Sequence, residues 1–187
     1  VTGLGNQTER WLAVKGLPFG NVTHHFFDRV GVERSHTAVA NDYVGVLESI
    51  DGFPAVILEN DATLTDDHSL TLELPNGAGV VFLGLATQGI IVFGGKYAKC
   101  RSGCAPIDEK FARPLNMLTT HAILLTTSEA RDELVAAIEV GKTLDHPHDF
   151  WTALAMRSHN WLALNKPIFY QDDANKAATN IQLEPKL

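Results

Sequence analysis

The chain has 187 residues, of which 45% are hydrophobic and 20% charged, the balance of a single globular domain. Its formal net charge of -7 leaves no strongly basic footprint for gripping nucleic acid. No apolar run approaches the roughly 18 residues needed to span a bilayer, and the opening VTGLGNQTER lacks the basic start and apolar core of a signal peptide. The expectation is a soluble protein without membrane insertion, cytoplasmic, in a bacterial cell or a virus-infected host cell.

Taken in chain order, Val1 to Leu4 is a short apolar start that fits a first strand. Asn6 or Thr8 can cap a helix carrying Trp11, Leu12 and Val14, and the turn residues from Pro18 to Asn21 end it. Val22 to Phe27 is β-branched and aromatic and predicts a strand. Ser35 to Ile50 predicts a helix, because Val39, Tyr43, Val46, Leu47 and Ile50 make one apolar stripe.

Phe53 to Leu58 is a continuous apolar run that stops at Glu59-Asn60-Asp61. Such a run predicts a strand buried on both faces, typical of a parallel sheet. Ser69 to Leu74 alternates apolar and polar residues, and Gly79 to Leu85 and Ile90 to Phe93 are further strand candidates. Residues 94 to 115 lack periodicity and read as a long surface loop. Leu118 to Leu125 predicts a strand, and Thr126 with Glu129 a capping box for a helix that Gly141 terminates. Asp149 to Arg157 predicts a short helix and Trp161 to Tyr170 a last strand. The alternation of strands and helices predicts an α/β layer architecture.

Several groups could carry chemistry. Glu59 and Asp61 are two carboxylates at the end of a buried strand, where open α/β sheets bind ligands. Hard oxygens of this kind suit Mg²⁺ or Mn²⁺, and the bland alternative is an acidic strand end in solvent. His146-Pro147-His148-Asp149, with Asp145 just before, is either a turn in which Asp149 caps a helix or a metal ligand beside a general base. Gly3 and Gly5 begin a dinucleotide-like fingerprint, but Thr8 stands where its third glycine belongs. Cys100 and Cys104 are too few for a disulfide framework and read as two thiols in a loop, or as half of a zinc site. The three tryptophans are ordinary core residues, with Trp151 the best candidate for an acceptor site.

The ordered set of these segments resembles one family. VTGLGNQTERW resembles the opening strand and "N-L-x-x-x-x-E-R" segment of the family 25 glycosyltransferases, the lipopolysaccharide-type galactosyltransferases. GVERSHTAV is similar to their "G-C-x-x-S-H-x-x-x-W", with Gly31, Ser35 and His36 in register, Val32 in place of the Cys, and the Trp absent. ILENDATL resembles "I-L-E-D-D-V", with Asn60 as the middle residue. TLELPNGAGVVFLG, TTHAILLTTSEARDEL and KPIFYQDD are similar to the family's "D-x-x-F-L-G", "G-x-H-A-Y-I-I-S-x-x-x-A-x-x-L" and "P-x-x-x-Q".

The resemblance implies a GT-A fold, a nucleotide-sandwich (Rossmann-like) domain with a mainly parallel central sheet. It implies a metal-dependent glycosyltransferase that uses a nucleotide-sugar donor, most often a UDP-sugar, with Mn²⁺ or Mg²⁺, and a carbohydrate acceptor. Carried over residue by residue, Leu4, Asn6 and Arg10 would lie near the nucleotide, and Ser35 and His36 near its ribose or diphosphate. Asp61 would be the main metal ligand, with Glu59 near the ribose or metal, and His148 could complete the metal site. Asp149, or else Asp145, would be the general base.

Two other readings stay open. One is a small viral transferase that glycosylates hydroxylated bases in DNA, for which Lys96, Lys99 and Arg101 could meet a nucleic-acid backbone. The other is a non-catalytic relative that binds a nucleotide or glycan, kept alive by Asn60.

Overall fold

A strand, a helix and a second strand build the first parallel pair of the sheet. The computed structural model describes residues 23–27, 35–59, 62–64, 72–84, 90–93, 96–100, 104–143 and 146–171. Within it Thr23–Phe27 is β1, His36–Glu48 is α1 and Ala55–Glu59 is β2. Ser35 caps α1, its hydroxyl accepting a hydrogen bond from the Ala38 N–H. The helix buries Ala40, Tyr43, Val44 and Leu47; of the expected stripe, Tyr43, Leu47 and the following Ile50 are buried, whereas Val39 and Val46 are only partly so. Because α1 connects two parallel strands, it runs back along the sheet, with its N-terminus at the edge where β1 and β2 end.

The other strands are β3 (Ala62–Leu64), β4 (Val80–Phe82), β5 (Ile90–Phe93), β6 (Lys96–Cys100), β7 (Cys104–Pro106), β8 (Phe111–Pro114), β9 (Ala122–Leu125), β10 (Leu162–Leu164) and β11 (Phe169–Gln171). Two further helices follow β9, α2 (Ser128–Lys142) and α3 (His148–Ala155). The main sheet has seven strands in the order β1-β2-β9-β4-β10-β8-β7. It is mixed: β1–β2 and β4–β10 pair in parallel, whereas β9 is antiparallel to both β2 and β4, and β8 to both β10 and β7.

The mainly parallel sheet expected from the apolar run is therefore not what these residues form. The physical reason lies in the cover on the two faces. Ala55, Ile57, Val80, Phe82, Ile123 and Leu125 point to one face, under the three helices. Val56, Leu58, Val81, Leu83, Ala122 and Leu124 point to the other, under Leu72, Leu74, Ile168 and Phe169. A strand covered on both sides is apolar throughout whatever the direction of its neighbours, so the run reports cover and not polarity.

Other differences are local. Residues 94 to 115 are not one loop: they contain β6, β7 and β8, and β5 pairs with β6 as an antiparallel ribbon. Cys104 is disulfide-bonded, and the chain holds one other cysteine, Cys100. The pair of loop thiols and the half zinc site are both set aside by that bond.

The cap of α2 is Thr127, which accepts from the Ala130 N–H, one residue after the Thr126 expected. Gly141 does not end α2 but lies inside it, because a side chain there would overlap the Trp151 ring of α3. The stretch from Trp161 to Tyr170 divides into β10 and β11, which belong to different sheets. Leu72 and Leu74 pack on the second face with Glu73 exposed between them, so the alternation is real although residues 72–75 form no strand. Among the described residues no helix is long and apolar enough to cross a membrane.

Candidate functional site

β2 ends at Glu59, and the antiparallel partner β9 begins beside it. The Glu59 N–H donates to the His121 carbonyl at 2.8 Å, which brings the polar run Thr119-Thr120-His121 against the carboxylate. Glu59 is only 5% exposed, so it is not an acidic strand end in solvent. Its Oε1 accepts a hydrogen bond from the Thr120 hydroxyl at 2.6 Å. His148, the first residue of α3, sets its Nε2 at 3.1 Å from Thr120 Oγ1 and 3.7 Å from Glu59 Oε1.

Tyr43 closes the arrangement from α1. Its ring stacks on His148 with centroids 4.6 Å apart, and its hydroxyl donates to the Thr120 carbonyl at 3.1 Å. Behind His148, the Thr152 hydroxyl donates to the His148 carbonyl at 2.9 Å. One carboxylate, one hydroxyl, one imidazole and one phenol, from four separate chain segments, thus meet in the interior where the helices cover the end of β2.

The electrostatics define the proton positions. Burial pushes the Glu59 carboxyl up, but the hydrogen bonding and charge of His148, the Thr120 hydroxyl and His121 outweigh burial and hold it below its ordinary value. A carboxylate only accepts, so the Thr120 proton points at Glu59, and His148 must then donate to Thr120 from Nε2. Tyr43 is pushed well above the usual phenol range, first by burial and then by the Glu59 charge, so it stays a donor.

His121 lies beside this group and is also buried. Its Nδ1 is 3.1 Å from the Thr119 hydroxyl, which donates to the Gly84 carbonyl at 3.1 Å. Burial lowers its pKa, opposed by Glu59 and by the backbone of Phe169. Phe169 lies close enough to favour the charged ring, yet no described atom meets Nε2 in hydrogen-bond geometry.

The expected site residues fare as follows. Glu59 and His148, distant in sequence, come together. Asp149 follows His148 in the first turn of α3, partly exposed where His148 is buried. It does not cap that helix, since Pro147 holds the cap position. Ser35 and His36 stand exposed at the N-terminus of α1, the helix that supplies Tyr43. Leu4, Asn6, Arg10, Asp61 and Asp145 lie outside the described residues, as does Asn60.

The Nε2 of His148 faces Thr120 and Glu59. Trp151, partly exposed, packs its ring on Gly141 of α2. Trp161 is buried, with Nε1 donating to Glu133 Oε2 at 3.0 Å.

Sequence reasoning passed over Tyr43, Gly84, Thr119, Thr120 and His121. The signal available was the Thr-Thr-His run heading an apolar strand, three polar residues where the strand pattern asks for none. Tyr43 belongs to the apolar stripe by its spacing, and its hydroxyl is the feature that sets it apart from the other stripe residues. Compared with protein-family models, with curated proteins and with solved structures, the chain matches none of them.

Proposed function

We propose that this chain is a metal-dependent glycosyltransferase with a GT-A type nucleotide-binding fold, moving a sugar from a nucleotide-sugar donor, a UDP-sugar in the first instance, to a hydroxyl of a glycan. The observation that carries this reading is the Glu59 carboxylate, buried and hydrogen-bonded at the C-terminal end of β2, two residues before Asp61 in the sequence. The ordered resemblance to the family 25 glycosyltransferases supplies the reaction class.

Glu59 and Asp61 would supply hard oxygen donors suited to a divalent cation. Glu59 is held as a carboxylate, its Oε1 is occupied by Thr120, and no described residue bonds its Oε2. Asp61, with Glu59 and His148, would hold Mn²⁺ or Mg²⁺. When bound, such an ion neutralises charge on a departing diphosphate.

The remaining work falls to the chain's own groups. The exposed N-terminus of α1, with Ser35 and His36, would meet the ribose or diphosphate, since the first turn of a helix offers N–H groups to anions. Asp149 would accept the proton of the acceptor hydroxyl.

The test is a thermal-shift screen of nucleotide sugars with and without Mn²⁺, followed by donor hydrolysis and transfer with the wild-type chain and Asp61→Asn. Metal-dependent stabilisation by one nucleotide class, with turnover lost in Asp61→Asn, is the expected result. Wild-type turnover of Asp61→Asn in the presence of EDTA rules the reading out. Donor binding without hydrolysis or transfer would identify a non-catalytic relative.

A further inference from the structure

We propose that His148 anchors the start of α3 where a helix cap is missing, and that Tyr43 and Thr120, which hold its ring, are positioning residues for Asp149. The inference rests on the reading of Asp149 as the base. It goes beyond that reading by naming what fixes the carboxylate in place.

α3 has eight residues and opens without a capping side chain: Pro147 holds the cap position and makes no side-chain hydrogen bond. A proline offers no oxygen to the N–H groups of the first turn. The Pro147 carbonyl accepts from the Phe150 N–H at 3.0 Å, so the first turn closes on the backbone alone. A helix this short has little stability of its own, and its ends fray unless packing holds them.

The packing comes through the first side chain. His148 is buried and meets three other segments. Its ring stacks on Tyr43 of α1, with centroids 4.6 Å apart and planes at 29°. Its Nε2 lies 3.1 Å from Thr120 Oγ1, just before β9, and 3.7 Å from Glu59 Oε1 at the end of β2. The Tyr43 hydroxyl donates to the Thr120 carbonyl at 3.1 Å, so the two residues that hold the ring are joined to each other. The Thr152 hydroxyl donates to the His148 carbonyl at 2.9 Å and ties the second turn of α3 to the first.

Asp149 is the next residue, about 100° further round the helix, and partly exposed. Its direction follows from the rotation of α3 about its own axis, and the His148 ring sets that rotation. Misplacement of a reacting group by about 1 Å can cost about 10²-fold in rate. Tyr43 and Thr120 therefore act on proton transfer through His148 and the helix, without touching substrate. Phenylalanine at position 43 would keep the stack, whereas leucine would lose it. Valine at position 120 would keep the shape and remove the hydroxyl from Nε2.

The experiment measures kcat and donor KM for Mn²⁺-supported hydrolysis of nucleotide sugars, UDP-galactose first, together with hydrogen exchange at the Phe150 amide. The chains compared are the wild type, Tyr43→Phe, Tyr43→Leu, Thr120→Val and Asp149→Asn, each checked for a cooperative thermal transition. Tyr43→Leu should lower kcat by about 10–100-fold with donor KM within about threefold, and should speed exchange at Phe150. Tyr43→Phe should recover kcat to within about threefold of the wild type. Asp149→Asn should lower kcat with exchange unchanged. Should Tyr43→Leu not fold, Thr120→Val against Tyr43→Phe carries the comparison. Wild-type kcat in a folded Tyr43→Leu, or in Thr120→Val where the leucine variant does not fold, overturns the positioning role and leaves Asp149 as the base. A raised donor KM with kcat intact overturns it equally, since the frame would then serve donor binding. Wild-type kcat in Asp149→Asn, or a wild-type chain that hydrolyses no nucleotide sugar, overturns the base and its positioning together.

Discussion

Gly84 and His121 are matched by size: a Cβ at position 84 would overlap the Nε2, Cδ2 and Cε1 atoms of the buried imidazole. Gly84 lies two residues beyond β4 and bridges to Phe169, while His121 immediately precedes β9, so the ring fills a slot that only a missing side chain provides. Gly84→Ala must displace the ring or the backbone, and overpacking of this kind costs about 1–3 kcal/mol. Denaturant unfolding measures it. The double variant Gly84→Ala/His121→Ala should recover part of the loss, because the two substitutions are not independent. Strict additivity would refute the clash.

The buried titratable groups predict falling stability in acid. Burial, which outweighs the opposing Glu59 charge and Phe169 backbone, sets the His121 pKa below its ordinary 6.5. The unfolded chain therefore takes up that proton first, and stability declines as the pH drops below about 6.5. Glu59 is held below its ordinary 4.5. Its contribution is complete above that value and is lost as the pH falls through the lower native pKa. Guanidinium unfolding at pH 7.5, 5.5 and 3.5 reads both limbs. Glu59→Gln should flatten the lower one, and an unchanged acid slope in that variant would assign acid unfolding to other carboxyls.

The disulfide at Cys104 sits at the start of the edge strand β7. Chain-entropy arguments give a bond that closes so short a loop about 2 kcal/mol. Reduction should lower the unfolding midpoint in guanidinium accordingly, with the sheet intact by circular dichroism. Identical midpoints with and without reductant would show that the bond adds nothing. Such bonds form and persist in oxidising compartments.

Leu47 has no exposed surface and packs from α1 onto the helix-covered face of the sheet. Leu47→Ala should cost about 2–5 kcal/mol, the transfer loss plus the cavity left behind. A change within about half a kcal/mol would mean that the site collapses around the smaller side chain.

Asp149 is the proposed base. Asp149→Asn should lower kcat by about 10²–10⁴ with donor affinity little changed. A purely structural carboxylate in the first turn of α3 would instead cost up to about 1 kcal/mol in stability through the helix dipole, with no specific kinetic defect. Wild-type kcat in this variant would move the search to Asp145.

The sequence by itself determined the elements whose pattern is local. The helix at α1, the buried run of β2 and the strand at β9 all follow from side-chain spacing, because a helix or strand has a fixed period and one or two covered faces. Strand direction was decided only in the tertiary structure. A both-faces-buried run is the same sequence next to a parallel or an antiparallel neighbour, and β9 slots between β2 and β4 through pairings that no local window contains. The site divides in the same way. Glu59, His148 and Asp149 stood out by residue type and motif. Thr120 and Tyr43 did not, since a threonine before a strand and a tyrosine in an apolar stripe are ordinary until the fold carries them to one carboxylate. The charge state of Glu59 and the proton on His148 Nε2 exist only there, because both depend on hydrogen bonds between segments that are distant in the chain.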